Sequence, residues 1–422
     1  MPLHESQSFD VIIIGAGAAG LGAALQLALT PIRFCLLEAR DRIGGRAHTL
    51  TQGLYPLDLG CGWLHSADHN PLVSILEQRG FTLDRTLPAW GTQTFDLGFS
   101  AADQQEFQAA ADRLQARFDS FDPDASDVAS STLLEAGSRW NPLLDAISTY
   151  MSGAELDRVS ARDNRNYHDT HLNWRIREGY GQAIGSLGQG LPIRLDCPVT
   201  AIDHSGPLVR VETAHGSLTT AKVIITLPTS LLAKESIRFT PALPDKREAA
   251  AGLPLGLADK VLLGLDDAND WPADGHFFGS ITQTMTGSYH LRPFGRPLIE
   301  GYFGGQLAGD LEAAGPGAFF DFAVAELSML LGSDMRHRLH FVVETRWGQD
   351  PFAHGAYSYA LPGHAGARAR LAALVDQRLF FAGEACSPHA FSTAHGAFMT
   401  GEEAALQALA ALGTSVFAKA RE

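Results

Sequence analysis

The sequence predicts an α/β chain in which a domain built on a parallel sheet is interleaved with a second, α+β domain. Three observations carry the prediction. The N-terminal stretch reads as strand, glycine-rich turn and helix in direct succession, which is how a parallel βαβ unit opens. Stretches of the same character return in the middle and near the end, separated by long insertions. Those insertions differ in kind, one carrying a helical apolar stripe and the other strand-like runs. Length agrees, because 422 residues exceed what one ordinary core holds and call for two or three lobes.

The first element is the strand at 10–14 (DVIII), whose β-branched residues suit a position buried on both faces. Gly15-Ala16-Gly17-Ala18-Ala19-Gly20 is the turn, 21–29 the helix and 33–37 the second strand, ended by Glu38. Gly15 allows the tight turn, Gly17 lets the backbone approach a pyrophosphate, and Gly20 lets helix and strand pack closely. Glu38, about 20 residues on, is placed to accept hydrogen bonds from a ribose hydroxyl. The unit is therefore Rossmann-like, and it should hold FAD or NAD.

Arg42-Ile43-Gly44-Gly45-Arg46 follows. A solvated basic loop would explain the charges but not the two glycines between them. The run resembles the R-x-G-G-R segment of the amine oxidase, phytoene desaturase and protoporphyrinogen oxidase flavoproteins, in which the arginines lie beside the FAD phosphates. The resemblance implies FAD, held by Gly15, Gly17, Ala19, Gly20, Glu38, Ala39, Arg40, Gly45 and Arg46. Next comes Asp58-Leu59-Gly60-Cys61-Gly62-Trp63-Leu64-His65 with Asn70-Pro71 after it, similar to the G-x-x-W-x-H…N-P stretch of polyamine oxidases. It implies cofactor contacts for Gly60, Cys61, Gly62 and Trp63 and places His65 against the substrate amine. From the residues alone, His65 and His69 at i, i+4 are helix-surface positions or a weak metal pair. No third ligand and no H-E-x-x-H accompany them, so no metal is expected.

The first insertion has Phe107, Ala110, Leu114 and Phe118 at helical spacing opposite Asp103, Glu106, Asp112 and Arg113, a stripe that reads as core packing. Asp122-Pro123-Asp124 breaks it. The middle block holds Gly179-Tyr180-Gly181-Gln182 and then 193–202 (IRLDCPVTAI) as one strand. It resembles the flavin oxidase segment that runs beside the adenine, where Val199 would hold the ring through its backbone; a buried valine explains the same residue. A strand at 223–227, stopped by Pro228, is read as leaving the cofactor domain.

The second insertion has strand-like stretches at 260–265, 298–303 and 340–346. Ala258-Asp259-Lys260-Val261 resembles the segment that carries the lysine near flavin N5 in polyamine oxidases and lysine-specific histone demethylases. Thr345-Arg346-Trp347-Gly348-Gln349-Asp350-Pro351 with Gly355-Ala356-Tyr357-Ser358-Tyr359 resembles their R-W-x-x-D-P…G-x-Y-S run. In those enzymes the lysine holds a water at N5, the tryptophan covers the flavin and the tyrosine lines the amine pocket, which implies these roles for Lys260, Trp347 and Tyr357. The bland readings are a snorkelling lysine on a strand and a core tryptophan. Monoamine oxidases bond the flavin through a cysteine where this chain has Ala356, so noncovalent FAD is expected.

The closing segment is Leu379-Phe380-Phe381-Ala382-Gly383-Glu384, then Ser392-Thr393-Ala394-His395-Gly396-Ala397-Phe398. It resembles the F-A-G-E and T-x-H-G-A pattern of flavin amine oxidases. Gly383, Glu384, Thr393 and Ala394 would then bind cofactor, with a helix N-terminus that favours negative charge on the reduced ring. Thr393 stands where monoamine oxidases place the second aromatic wall, as in histone demethylases, which opens the pocket. Together these readings divide the chain into a FAD-binding domain at 1–75, 178–245 and 366–422 and a substrate-binding domain at 76–177 and 246–365.

Composition sets the remaining bounds. A chain 45% apolar and 19% charged is globular, and a net charge of −15 argues against nucleic acid and weakly favours cationic small molecules. Cys35, Cys61, Cys197 and Cys386 form no C-x-x-C and read as reduced thiols. Residues 1–9 lack a basic and apolar leader pattern and no run spans a membrane, which suggests a cytoplasmic protein. The implied activity is FAD-dependent oxidation of an amine, possessing a carbon that gives hydride to flavin N5, with imine hydrolysis and dioxygen reduced to hydrogen peroxide. The alternatives are a desaturase or protoporphyrinogen oxidase relative and, in another class, a flavin-holding protein without turnover. G-x-S-x-G is missing, so serine hydrolysis is not indicated.

Overall fold

The computed structural model describes residues 8–53 and 55–414; 1–7, on which the leader reading rests, and 415–422, the end of the predicted FAD-binding stretch, lie outside the described residues. Two compact units emerge, one of Met1–Arg85, Tyr167–Pro254 and Gly366–Glu422, the other of Thr86–Asn166 and Leu255–Ala365. Where the sequence suggested breaks after 75, 177, 245 and 365, the contacts divide after 85, 166, 254 and 365. Among the described residues no helix is long and apolar enough to cross a membrane.

In the first unit Ser8–Ile14 lies between Phe34–Leu37 and Gly216–Ile225, parallel to both, with Ile14 opposite Leu37 and Ile225. Leu379–Phe381 adds in parallel on the far side of Gly216–Ile225, and Ile193–Arg194 on the far side of Phe34–Leu37. Val11, Ile12 and Ile13 have no exposed surface, which is why the run is apolar without alternation. The strand expected to leave this domain instead sits inside it: Gly216–Ile225 bonds Ser8–Ile14, Leu379–Phe381 and, antiparallel, Val209–Thr213. Its parallel partners come from distant sequence, so nothing local marks it as central.

The single strand expected at 193–202 is two, Ile193–Arg194 and Val199–Asp203. Asp196 between them adopts φ 52°, a left-handed conformation no strand continues through, and Pro198 has no N–H for a ladder. Helices Ala18–Leu27 and Ala394–Ala411 pack on this sheet and against each other. A Cβ on Gly401 would lie 1.9 Å from the Ala19 carbonyl oxygen, so the two backbones touch.

The second unit is built on an antiparallel sheet ordered Gly275–Phe278, Ser288–Leu291, Leu298–Gly304, Ala258–Leu265 and Leu339–Glu344. Period-two alternation gives it two unlike faces. Val261, Leu263, Ile299, Phe303, Tyr289 and Phe277 pack against helices Gly305–Ala314 and Ala318–Leu331. The opposite face carries Lys260, Glu300, Tyr302, Ser288 and His276. The helix expected in the first insertion is Ala101–Asp119, with Ala110, Leu114 and Phe118 buried and Phe107 packed on Trp140 at 5.6 Å between ring centroids.

Candidate active site

The cofactor residues singled out in sequence fall in the first unit, apart from Trp347, and most of them meet where the parallel strands end. Gly15, with φ 101°, turns the chain out of the first strand, and a Cβ at Gly20 would lie 1.9 Å from the Gly15 carbonyl oxygen, so only glycine closes this turn. Gly17 caps the Ala18–Leu27 helix with no side-chain bond, leaving the first-turn N–H groups, Ala19 among them, without a side-chain acceptor. Gly45 lies over this turn, a Cβ there falling 3.3 Å from the Gly17 Cα, and the Gly44 N–H donates to the Ala16 carbonyl at 2.9 Å.

Glu38 is buried at the end of the second strand. Its Oε2 accepts the Ala16 N–H at 2.7 Å and its Oε1 the Arg40 N–H at 2.9 Å, so it locks the glycine turn to the strand end that carries Ala39 and Arg40. The Glu38 carbonyl accepts the Cys197 N–H at 2.8 Å, which brings the segment leading to buried Val199 beside it. Arg46 Nη1 meets Glu384 Oε1 at 2.9 Å, and Glu384 Oε2 accepts the Ser392 N–H at 3.0 Å, joining the R-x-G-G-R and F-A-G-E runs across 338 residues. The Arg46 carbonyl oxygen lies 1.7 Å from where a Gly60 Cβ would stand, so Gly60, Cys61, Gly62 and Trp63 start directly against it. Gly383 donates to Thr400 Oγ1 at 3.0 Å. Helix-start N–H groups without a side-chain cap, adjacent arginines and a backbone surface without Cβ atoms fit a dinucleotide pyrophosphate.

His65 precedes the helix Pro71–Gln78 rather than lying on one, because Asn70 starts that helix by accepting the Leu72 N–H at 3.0 Å. Asn70 Nδ2 also donates to the His65 carbonyl at 3.0 Å, so the Asn70-Pro71 pair is a cap that holds the histidine loop. His65 Nδ1 bonds Asn173 Oδ1 at 2.8 Å. Burial holds the imidazole below its ordinary range against the opposing pull of Asp169 and Asn173. His395 is pushed down to about 4, by burial first and by His65 next. Thr393 Oγ1 accepts the Gly396 N–H at 3.0 Å and donates to the Ala390 carbonyl at 2.7 Å, capping the helix that Ala394 opens.

Lys260, Trp347 and Tyr357 belong to the second unit. Lys260 does not snorkel: its side chain is 8% exposed and its Nζ lies 2.9 Å from Glu300 Oε1. Tyr302 is its cross-strand partner, and the Tyr302 and Tyr357 hydroxyls are 3.0 Å apart. Tyr357 donates to the Tyr150 carbonyl. Burial pushes the phenols of Tyr150 and Tyr302 up, so both stay protonated. Trp347 is buried, its backbone N–H on Asp259 Oδ1 at 2.9 Å and its carbonyl accepting the Gly355 N–H at 2.9 Å, which returns the chain to Ala356 and Tyr357. Glu300, Tyr302, Tyr150, Asn173 and Glu312 were not singled out in sequence. Glu300 and Tyr302 do alternate with apolar residues in 298–303, a signal of a polar sheet face, but their partner Lys260 is visible only from the strand register.

The family model described as flavin containing amine oxidoreductase matches residues 18–409. The chain belongs to this family. Polyamine oxidase 2 of Arabidopsis thaliana is 31% identical, the match covering 95% of this chain and 88% of the relative. Lysine-specific histone demethylase 2 of Homo sapiens is 28% identical over 93% of this chain and 52% of its own length. Among solved structures, wild-type putrescine oxidase bound to putrescine has the same fold, with a TM-score of 0.79, 20% identity and coverage of 96% and 99% of the two chains. The protein is thus an FAD-dependent amine oxidase, and these relatives favour that reading over the desaturase and non-catalytic alternatives. In this amine oxidase most of the residues expected to bind the flavin come from the two chain ends, while the lysine, tryptophan and tyrosine of the resemblance share one sheet and its adjoining turn.

Proposed function

We propose that this amine oxidase oxidises a polyamine or another primary or secondary amine, with dioxygen as the electron acceptor and hydrogen peroxide as product. The observation that carries the reading is Lys260, a buried cation ion-paired to Glu300 on the polar face of a sheet, with Tyr302 as its cross-strand neighbour and the Tyr302 hydroxyl 3.0 Å from that of Tyr357. FAD, when bound, supplies the acceptor for a hydride from the carbon next to nitrogen. Ala356 offers no nucleophile to that cofactor, so it is held noncovalently.

Gly15, Gly17, Ala19 and Gly20 present the helix-start N–H groups to the pyrophosphate, with Gly45 and Arg46 beside it. Glu38, Ala39 and Arg40 take the ribose end, and Val199 the adenine. Gly60, Cys61, Gly62, Trp63, Gly383, Glu384, Thr393 and Ala394 complete the binding surface. Asn173 Oδ1 takes the proton-bearing Nδ1 of His65, which makes Nε2 the accepting side of a neutral imidazole. His65 can therefore accept a hydrogen bond from the N–H of an uncharged substrate amine, the form that gives up hydride, and burial, which disfavours a charged imidazole, keeps it in that accepting state. Lys260 holds a water, Trp347 excludes bulk solvent and Tyr357 lines the amine pocket. The polyamine assignment is supported by the 31% identity to polyamine oxidase 2 and by the net charge of −15.

Anaerobic mixing with a panel of amines, followed by flavin absorbance, tests the reading. Polyamines should bleach the oxidised flavin, and failure of every amine to do so would end it. Lys260→Met should keep the yellow colour while slowing flavin reduction, reoxidation by dioxygen, or both. Parent rates in both half-reactions would remove Lys260 from the chemistry.

A further inference from the structure

Asp259 precedes Lys260 but points to the other face of the strand, towards the Gly305–Ala314 helix. It is fully buried. Its Oδ1 accepts the Thr345 hydroxyl at 2.7 Å and the Trp347 N–H at 2.9 Å. Thr345 Oγ1 in turn accepts the Lys260 N–H at 2.8 Å. Glu312, also buried, comes from the helix: its Oε1 accepts the Gly348 N–H at 2.7 Å, and its carbonyl takes Arg346 Nη2 at 2.8 Å and Gln349 Nε2 at 2.9 Å. A Cβ at Gly348 would stand 2.6 Å from Glu312 Oε2, so the carboxyl is clamped on the turn. Asp259 Oδ2, buried and with no donor among the described residues, faces Glu312. Two carboxylates cannot satisfy each other; one carboxylic acid and one carboxylate can.

We propose that Asp259 and Glu312 share a single proton, and that this proton-bridged pair is a positioning device that fixes the Trp347–Gly348 turn and the Lys260 backbone together. The role rests on the reading that Lys260 and Trp347 serve amine oxidation. Asp259 is pushed up to about 7, by burial first and by the Glu312 charge after it. Above that pH the bridging proton leaves to solvent, two anions face each other, and the turn loosens. The charged and titratable groups around the pair are few. Lys260 lies on the opposite face of the same strand, Arg346 reaches the Glu312 carbonyl, and Tyr302 on the neighbouring strand feels the Asp259 charge. Glu344 on the other neighbouring strand is taken by the Gly317 N–H at 2.7 Å. None of them supplies the missing donor to Oδ2.

Infrared difference spectra of the holoenzyme across pH 5 to 9 test this directly. The parent should show the carbonyl stretch of a buried carboxylic acid that fades around pH 7. Asp259→Asn and Glu312→Gln should each abolish it, because either amide donates where the shared proton did. Both amide variants should keep flavin reduction near the parent rate at pH 6 and lose the fall at high pH. Asp259→Leu should slow reduction by roughly a hundredfold at unchanged FAD affinity, since displacement of reacting groups acts on that scale. No such band in the parent, or a band that survives in either amide variant, overturns the shared proton; parent rates in Asp259→Leu overturn the positioning role. Parent half-reactions in Lys260→Met would instead remove the catalytic reading beneath it, while the band still decides the pair.

Discussion

Both oxygens of Glu38 accept backbone N–H groups, from Ala16 at 2.7 Å and Arg40 at 2.9 Å, so the residue read from sequence as a ribose acceptor holds the glycine turn in shape. Glu38→Ala should therefore weaken FAD by roughly ten- to a hundredfold, the worth of a charge-assisted bond. Titration of the apoprotein with FAD measures it, and unchanged affinity would take Glu38 out of the site. The two buried imidazoles predict a pH dependence. His395 is depressed from 6.5 to about 4 in the folded protein, so the unfolded chain binds its proton first as pH falls. Its contribution is intact above about 6.5 and is lost as pH drops towards about 4. Thermal midpoints at pH 7 and pH 5 should differ by less in His395→Asn than in the parent. The motif at 392–398 contained His395, but only the fold shows that His65 and Asp169 act on it.

At the scale of elements, helix positions were legible wherever a local pattern sets them. Phe107, Ala110, Leu114 and Phe118 mark the stripe of Ala101–Asp119, and the glycine run marks the start of Ala18–Leu27. That helix nevertheless takes in 18–20, expected in the turn, and ends at Leu27 rather than 29. Strand ends were less so, because pairing partners decide them: Asp196 and Pro198 interrupt what reads as one strand. Thr393, expected from sequence in the pocket and at the cofactor, is in addition a helix cap. Thr393→Ala should cost about 1 kcal/mol of stability by loss of that cap, with Thr393→Ser restoring most of it, measured by chemical denaturation. Gly401 has no local signature either, yet its Cα side lies against the Ala19 backbone. Gly401→Ala forces the two helices apart, which should cost about 1–3 kcal/mol and loosen FAD together, because the first turn of Ala18–Leu27 is the proposed pyrophosphate site. An alanine variant with parent stability would refute the close packing.

Across the whole molecule, the net charge of −15 gives cationic substrates a favourable field that salt screens, with a Debye length of about 10 Å at 0.1 M. For a diamine, kcat/KM should fall as sodium chloride rises, mainly through KM, and fall less for a monoamine; a salt-independent KM for both would exclude steering. The sequence by itself determined the FAD cofactor, the family and the interleaving of parallel-sheet and α+β segments. Each of these is written in short runs, G-x-G-x-x-G with Glu38, R-x-G-G-R, F-A-G-E, whose chemistry is local and survives as a pattern of residue types. What only the tertiary structure decided are the pairings between distant residues. Examples are Gly216–Ile225 at the centre of its sheet, Arg46 on Glu384, Lys260 on Glu300, and Asp259 against Glu312. A hydrogen bond or a buried ion pair depends on distances of about 3 Å between groups that stand tens to hundreds of residues apart in sequence, and strand register, not residue type, sets those distances.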